Sequence, residues 1–121
     1  MSPVLMDTVG FLSLWNGKDP WHPAAAEAFN KLAASGSHLF TTTYILLECG
    51  NSAARTRFRF DVVEIRRQFA LAGKLIEPTS ADVEAGWESY ARGEAASAGI
   101  VHGCATAGAL CQLTYALRFS Q

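Results

Sequence analysis

Asp7 and Glu48 are the acidic residues whose surroundings predict a shared site. Asp7 directly follows a short apolar run at residues 4–6, which predicts a buried strand. Glu48 lies in an apolar run that follows three threonines at residues 41–43. That pattern predicts a strand end, a threonine cap and then a helix. If both segments fold in this way, the two carboxylates can meet at the carboxyl edge of one sheet.

Two carboxylates at one sheet edge would hold a hard divalent cation. Mg²⁺ prefers oxygen ligands and keeps most of its waters, so one or two carboxylates suffice to bind it. A cation in this place would polarise a phosphate and activate a water for in-line attack on a phosphodiester. The alternative is structural: Asp7 caps a helix, because Asp is a preferred cap residue, and Glu48 faces solvent. Spacing alone leaves both interpretations open.

The hydrophobic spacing predicts alternating strands and helices. Strands are predicted at residues 4–6, 38–41 and 74–78. Five helices are predicted. The first follows Asp7, the second runs from His22 to the turn at 35–37, and the third follows a cap at Thr42 or Thr43. The fourth runs from the arginine-rich stretch to Gly73, and the fifth begins at 79–82, where Ser80 is a candidate cap. Such alternation implies a parallel sheet covered by helices, because a parallel connection needs a crossover. Ligands bind beyond the carboxyl ends of such strands, where Asp7 and Glu48 are expected.

The composition fits a single domain over residues 1–121. Half of the residues are hydrophobic and 17% are charged, so a buried core is expected and global disorder is not. The net charge of -1 argues against a protein coated in positive charge but allows a local basic patch. The three cysteines lack C-x-x-C spacing, so neither a disulfide framework nor a zinc site is predicted. Without a signal-like N-terminus or about 18 consecutive apolar residues, a cytoplasmic location and no membrane insertion are expected.

One basic cluster is present, and it covers the connection into the fourth predicted helix. It consists of five arginines at positions 55, 57, 59, 66 and 67. Arg55, Arg57 and Arg59 would contact RNA phosphates, each contact adding salt-dependent affinity. Equally, the cluster would form a solvated helix face paired with Asp61 and Glu64, or receive an acidic partner protein.

Several other residues have structural interpretations. Trp15, Trp21 and Trp87 are predicted to anchor the core or its edge, and an exposed one would suit a dimer interface. Cys49 is predicted to be a small buried hydrophobic residue. His22 is predicted to lie at the surface or in a cap, because it follows a turn and precedes a proline.

Four stretches carry a resemblance to a known family when they are taken in order. They are LMDTVGFL at 5–12, WHPAAA at 21–26, TTTYILLECGN at 41–51 and LIEP at 75–78. Together they resemble the PIN domain, above all the VapC-like toxins of type II toxin–antitoxin systems, over residues 3–101. The resemblance implies a three-layer α/β/α sandwich with a parallel central sheet and a Mg²⁺- or Mn²⁺-dependent ribonuclease site. It also implies an RNA substrate, a cognate antitoxin protein that blocks the site, and a homodimer.

By this resemblance Asp7 and Glu48 are the metal ligands. The family has a third acid, an Asp, at the head of a later helix, after an apolar lead-in that matches residues 99–101. The next residue in this chain is His102. The family's fourth acid has no counterpart either, because no acidic residue follows Glu94.

Residues 102–121 therefore depart from the family pattern, as a truncated or frameshifted reading frame would. His102 suits Zn²⁺ or Mn²⁺ better than Mg²⁺, and Glu94 is a substitute ligand or a solvated helix end. The expected function is a metal-dependent endoribonuclease whose activity is impaired by the missing acids. The alternative is a catalytically inactive PIN-like domain that binds an antitoxin or RNA, and a defective gene product is a third interpretation.

Overall fold

The structure is a computed structural model that describes residues 4–36 and 38–93. Three strands and five helices follow one another in this part of the chain. Their order is β1 (Val4–Leu5), α1 (Thr8–Trp15), α2 (His22–Ala34), β2 (Leu39–Thr42), α3 (Thr43–Ala53), α4 (Arg59–Leu71), β3 (Leu75–Ile76) and α5 (Ser80–Ala91). The strands form a parallel sheet in the order β1-β2-β3. The predicted α/β fold with a parallel sheet is confirmed.

β2 lies between the other two strands and fixes their register. Leu39 and Phe40 stand opposite Val4 and Leu5, and Thr41 and Thr42 stand opposite Leu75 and Ile76. Both residues of β1 and all four residues of β2 are buried. Strands that are covered on both faces have continuous runs of buried residues instead of an alternating pattern. The short apolar runs of the sequence therefore become strands because helices cover them.

The core joins the sheet to α1, α3 and α4. Phe11 of α1 and Ile45 of α3 are almost completely buried. The Phe11 ring stacks on Trp15 with 5.3 Å between ring centres and meets Phe69 of α4 edge-on at 5.9 Å. Aromatic pairs in these arrangements add to the gain from burial itself. α1 is therefore held against the rest of the core close to its own N-terminus.

Thr41 ties β2 to the segment that leads into α1. Its side chain is fully buried, and its hydroxyl donates to the Met6 carbonyl oxygen at 2.9 Å. The Met6 N–H in turn donates to the Phe40 carbonyl oxygen at 2.8 Å. Because Met6 directly precedes Asp7, these two hydrogen bonds fix the backbone at the point where β1 ends and α1 begins.

Polar side chains cap the helices that follow β1 and β2. Asp7 accepts a hydrogen bond from the Gly10 N–H, and Thr42 accepts one from the Ile45 N–H at 3.2 Å. Such bonds satisfy amide groups that have no partner inside the helix. Of the two threonines offered by the sequence, Thr42 is therefore the cap of α3.

α5 begins one residue earlier than a cap at Ser80 would allow. Thr79 is the N-cap, with extended backbone, and Ser80 is already helical. Thr79 and Asp82 form a capping box, in which each side chain accepts a hydrogen bond from the other residue's N–H. The Ser80 cap was wrong because this reciprocal pair satisfies two amides where one serine would satisfy only one.

Two of the three tryptophans are not core anchors. Trp15 packs against the core, but Trp21 is 64% exposed and Trp87 is 52% exposed. Trp87 meets Tyr90 edge-on at 5.9 Å on the outer side of α5. Trp21 and Trp87 were predicted to anchor the core or its edge, and their exposure shows that neither is a buried anchor. The alternative for an exposed tryptophan, a dimer interface, stays a prediction.

Some predictions fall on residues outside the described ranges. These are the predictions about Glu94, about His102 and about the divergent segment 102–121. Within the described ranges, no helix combines the length and the apolar character that a membrane crossing requires.

Replacing Thr41 by Val is expected to lower the free energy of unfolding by about 1–2 kcal/mol, because the buried Met6 carbonyl loses its donor while the side chain keeps its volume. Urea denaturation followed by circular dichroism measures the change. Thr43→Val is the matched control, since the Thr43 hydroxyl makes no hydrogen bond to another described residue, and its effect should stay within about 0.5 kcal/mol. Equal losses in both variants would contradict the role of Thr41.

Candidate functional site

Asp7 lies at the carboxyl end of β1, where it is partly exposed. Its Oδ1 accepts the Gly10 N–H at 2.8 Å, so the predicted cap role is confirmed. A Cβ atom added to Gly10 would come within 3.2 Å of the same oxygen, which shows how closely the first turn of α1 approaches the carboxylate. The cap therefore holds the Asp7 carboxylate in one orientation at the sheet edge.

Glu48 is exposed on α3, but its carboxylate does not simply face solvent. The Thr8 hydroxyl donates to Glu48 Oε2 at 2.7 Å, a hydrogen bond between residues that are 40 positions apart. Hydroxyl-to-carboxylate bonds of about this length are charge-assisted and stronger than neutral ones. Because Thr8 directly follows Asp7, this bond brings Glu48 to the start of α1.

Thr8 is the site residue that sequence reasoning missed. The sequence showed Thr8 only as the residue that follows Asp7 at the start of a predicted helix. A hydroxyl directly after the capping Asp is the signal that could have drawn attention to it. Its partner could not be read from the sequence, because the contact depends on how α1 packs against α3.

Cys49 directly follows Glu48 on α3 and is fully buried, as predicted. Burial raises the pKa of the Cys49 thiol to about 12, a hydrogen bond with Thr8 acts in the opposite direction, and the negative charges of Glu48 and Asp7 raise it further. Both carboxylates are therefore close enough to act on the same sulfur atom. The thiol stays protonated at neutral pH, and a protonated thiol is neither a nucleophile nor a good metal ligand.

Oxygen atoms are consequently the donors that this site offers to a cation. Hard cations such as Mg²⁺ and Mn²⁺ take carboxylate ligands and retain water, so the pair Asp7 and Glu48 fits such an ion. Among residues 4–36 and 38–93 no three His, Cys, Asp or Glu side chains are grouped so that they could hold a metal. A cation here would complete its coordination with water and with oxygens of a bound phosphate.

An apolar cleft beside Asp7 was not predicted. It has a volume of about 440 Å³ and lies between β1, α1 and α2. Asp7 and Ser13 contribute polar groups to a wall that otherwise consists mainly of apolar residues, among them Val4, Met6, Leu14, Trp21, Phe29 and Leu32. The alanines at 24, 25 and 28 also line it, and their small side chains leave the space between α1 and α2 open. That run of alanines is the signal from which a gap could have been suspected.

The arginine cluster divides into two parts. Arg55, Arg57 and Arg59 are exposed around the turn between α3 and α4, and no carboxylate of the described part of the chain forms a salt bridge with them. Arg67 forms a salt bridge with Glu64 of the same helix, which lowers the pKa of Glu64 and raises that of Arg67. The alternative prediction of a paired helix face therefore holds for Arg67 and fails for the first three arginines and for Arg66, which forms no salt bridge with a described carboxylate either.

Arg55, Arg57 and Arg59 lie beyond the end of α3 that is farther from the sheet edge. α3 begins directly after β2 and ends at Ala53, so Arg55 comes two residues after its last turn. With a rise of about 1.5 Å per residue, Arg55 lies about 10 Å along the helix axis from Glu48. The structure thus brings together Asp7, Thr8 and Glu48 and keeps the arginines as a separate surface.

Comparisons with protein families and with curated proteins find no relative of this chain. No protein-family model matches the chain, and no curated protein matches it either. The resemblance to the PIN domain rests on the motifs of the sequence itself.

Cys49 is expected to make the protein less stable at high pH. Its pKa of about 12 in the folded state lies above the ordinary value of 9.0. A raised pKa means that the folded state holds the proton more tightly, so this stabilisation is complete below pH 9.0 and is lost as the pH rises toward 12. Urea unfolding on either side of pH 9.0 measures the loss.

Cys49→Ala is the comparison for this measurement, because Ala cannot ionise. The free-energy difference between the natural protein and the variant should shrink as the pH rises above 9.0. A difference that stays constant over this range would show that Cys49 does not contribute to the pH dependence.

Proposed function

We propose that this protein is a metal-dependent endoribonuclease of the PIN type, similar to the VapC-like toxins, that hydrolyses RNA phosphodiester bonds. The observation that carries the proposal is the hydrogen bond from Thr8 to Glu48. It joins the start of α1, which follows β1, to α3, which follows β2. Both segments belong to the stretches that resemble the PIN domain. The parallel sheet and the oxygen donors agree with this function.

In this proposal Asp7 and Glu48 hold one Mg²⁺ or Mn²⁺ ion. Such an ion, when bound, supplies polarisation of the scissile phosphate and activation of the attacking water. The chain's own contribution is orientation: the Gly10 N–H holds Asp7 Oδ1, and the Thr8 hydroxyl holds Glu48 Oε2. No described residue donates a hydrogen bond to Glu48 Oε1, so this oxygen is available as a ligand. Groups that orient a metal ligand matter for affinity nearly as much as the ligand itself.

Local dipoles complement the negative charge of the site. Asp7 stands at the N-terminus of α1, where the helix dipole is positive. The Thr8 hydroxyl points its proton at the Glu48 carboxylate. The neutral Cys49 thiol adds no third negative charge beside the pair. Two carboxylates can therefore share this edge of the sheet before a cation binds.

The partners belong to the same proposal. Arg55, Arg57 and Arg59 guide RNA through phosphate contacts, which their exposure and the lack of a carboxylate partner among the described residues support. A cognate antitoxin protein, a homodimer and a cytoplasmic location are supported by the resemblance and the composition alone.

Asp7→Asn and Glu48→Gln are expected to abolish cleavage of labelled RNA in Mg²⁺ or Mn²⁺, because each variant removes one charged ligand and keeps the side-chain volume. Gel analysis of the products over time measures cleavage. Glu84→Gln is the matched control, since Glu84 is an exposed acid on α5, a helix that contributes neither Asp7 nor Glu48, and it should cleave at the natural rate. Cleavage that survives both site substitutions would refute the catalytic assignment.

Thr8→Val is expected to reduce metal-dependent cleavage by roughly 10–100-fold, the usual cost of losing a group that orients a metal ligand. Thr8→Ser keeps the hydroxyl and should retain most of the activity. A titration of Mn²⁺ against the cleavage rate separates the causes, because Thr8 acts through Glu48 and its loss should raise the Mn²⁺ concentration needed for half-maximal rate. Equal activity of the Val and Ser variants would exclude a positioning role for Thr8.

The second candidate function is a PIN-like domain that binds an antitoxin or RNA without cleaving it. The apolar cleft beside Asp7 favours this candidate, because it offers space for the apolar side chains of a partner protein next to the Asp7 carboxylate. The sequence adds His102 in place of the third acid. RNA binding without cleavage, with every divalent cation tried, would favour this candidate over the nuclease.

A further inference from the structure

Arginine and phenylalanine alternate at the turn between α3 and α4. Residues 57–60 are Arg, Phe, Arg and Phe. The Arg57 guanidinium lies 5.4 Å from the centre of the Phe58 ring, and that of Arg59 lies 4.9 Å from the centre of the Phe60 ring. Arg55, Arg57, Arg59 and Phe60 are exposed, and they are called the Arg–Phe surface below.

Phe60 contributes little to the core of the fold. Its neighbour Phe58 packs against the core, as do Ile65 and Phe69 further along α4. Phe60 instead remains 67% exposed, with one face of its ring near a guanidinium. A large apolar side chain gains free energy when it leaves water, and most of that gain is not realised here.

Two backbone amides of the turn already have partners. The N–H groups of Arg59 and Phe60 donate to the carbonyl oxygens of Thr56 and Arg57, at 3.4 Å and 3.3 Å. What Arg59 and Phe60 offer to a ligand is therefore their side chains, a positive charge and an aromatic face.

We infer that the Arg–Phe surface binds unpaired RNA bases: one base stacks on the face of the Phe60 ring opposite the Arg59 guanidinium, and Arg55 and Arg57 contact the neighbouring phosphates. Single-stranded nucleic acid is bound elsewhere by this combination of aromatic faces and arginines. An acidic protein would use the arginines but has no need of an exposed ring beside them. The inference rests on the proposed function for RNA as the ligand, and it adds a second contact region outside the carboxylate site.

Along α3, the side chains between Glu48 and the turn carry no charge. Asn51 and Ser52 are the exposed polar residues of α3 between Glu48 and the turn, and both are neutral. One RNA strand that follows α3 would thus reach the Arg–Phe surface about 10 Å along the helix axis beyond Glu48. The surface would hold the strand while a phosphate lies at the carboxylates.

Binding of the full chain to a labelled, unstructured RNA of about ten nucleotides tests this inference, with EDTA present so that the metal site plays no part. Phe60→Ala is expected to weaken binding roughly tenfold or more, the effect of losing one stacked base. Leu71→Ala is the matched control, because Leu71 is an exposed apolar residue of the same helix at 77% exposure. Its affinity should equal that of the natural protein. Fluorescence anisotropy measures both, and circular dichroism checks the fold.

Two further measurements separate stacking from charge. Arg55→Gln should reduce the slope of log affinity against log salt concentration by about 1, the contribution of one phosphate contact. Phe60→Ala should leave that slope unchanged. An RNA probe with abasic sites throughout should bind the natural protein and Phe60→Ala equally, because it has no base to stack. Natural affinity of Phe60→Ala for the ordinary RNA, or equal loss for the abasic probe, would overturn the inference.

Failure of this inference and failure of the proposed function give different results. If Phe60→Ala binds normally in EDTA while cleavage still requires Asp7, only the base-stacking surface is refuted. If Phe60→Ala loses affinity but no cation supports cleavage, the surface stands and the nuclease assignment falls. Tight competition by polyglutamate, with Phe60→Ala and the natural protein behaving alike, would assign the surface to an acidic protein and overturn RNA binding there.

Discussion

The hydrogen bond between Thr8 and Glu48 exists only because two helices start at neighbouring strand ends. β1 and β2 are parallel and paired, so α1 and α3 leave the sheet from the same edge. The Thr41 hydroxyl and the Met6 amide fix that edge, and the aromatic contacts of Phe11 keep α1 against the core. A shift of α1 by one residue would turn Thr8 away from α3. The candidate site therefore depends on backbone register before it depends on any charged side chain.

The buried thiol next to Glu48 restricts the chemistry of the site. A thiolate beside two carboxylates would place three negative charges in a small volume, one of them without water. Desolvation and the charges of Glu48 and Asp7 prevent this by keeping Cys49 protonated. What remains at the surface is a set of oxygen donors, which would favour hard cations over soft ones in the proposed site. The same burial that stabilises the core thus removes the thiolate from the donors of that site.

Local patterns were enough to predict the elements, and contacts between elements were not. The caps at Asp7 and Thr42 and the strands at β1 and β2 follow from a few neighbouring residues, and the parallel sheet follows from their alternation. The Thr8–Glu48 bond, the cleft beside Asp7 and the exposure of Trp21 depend on how helices pack. Helical spacing identifies a face, but the partner of that face is chosen by residues far away in the chain.

The position of each arginine relative to a helix dipole distinguishes Arg55 from Arg59. Arg55 follows the C-terminus of α3, where a cation complements the negative end of the dipole by about 0.3–1 kcal/mol, so its position also favours stability. Arg59 is the first residue of α4, where a cation meets the positive end and opposes the dipole. No carboxylate of the described residues forms a salt bridge with Arg59 to offset this cost. Arg59 and the Phe60 ring therefore suit the binding role proposed for them better than a stabilising one.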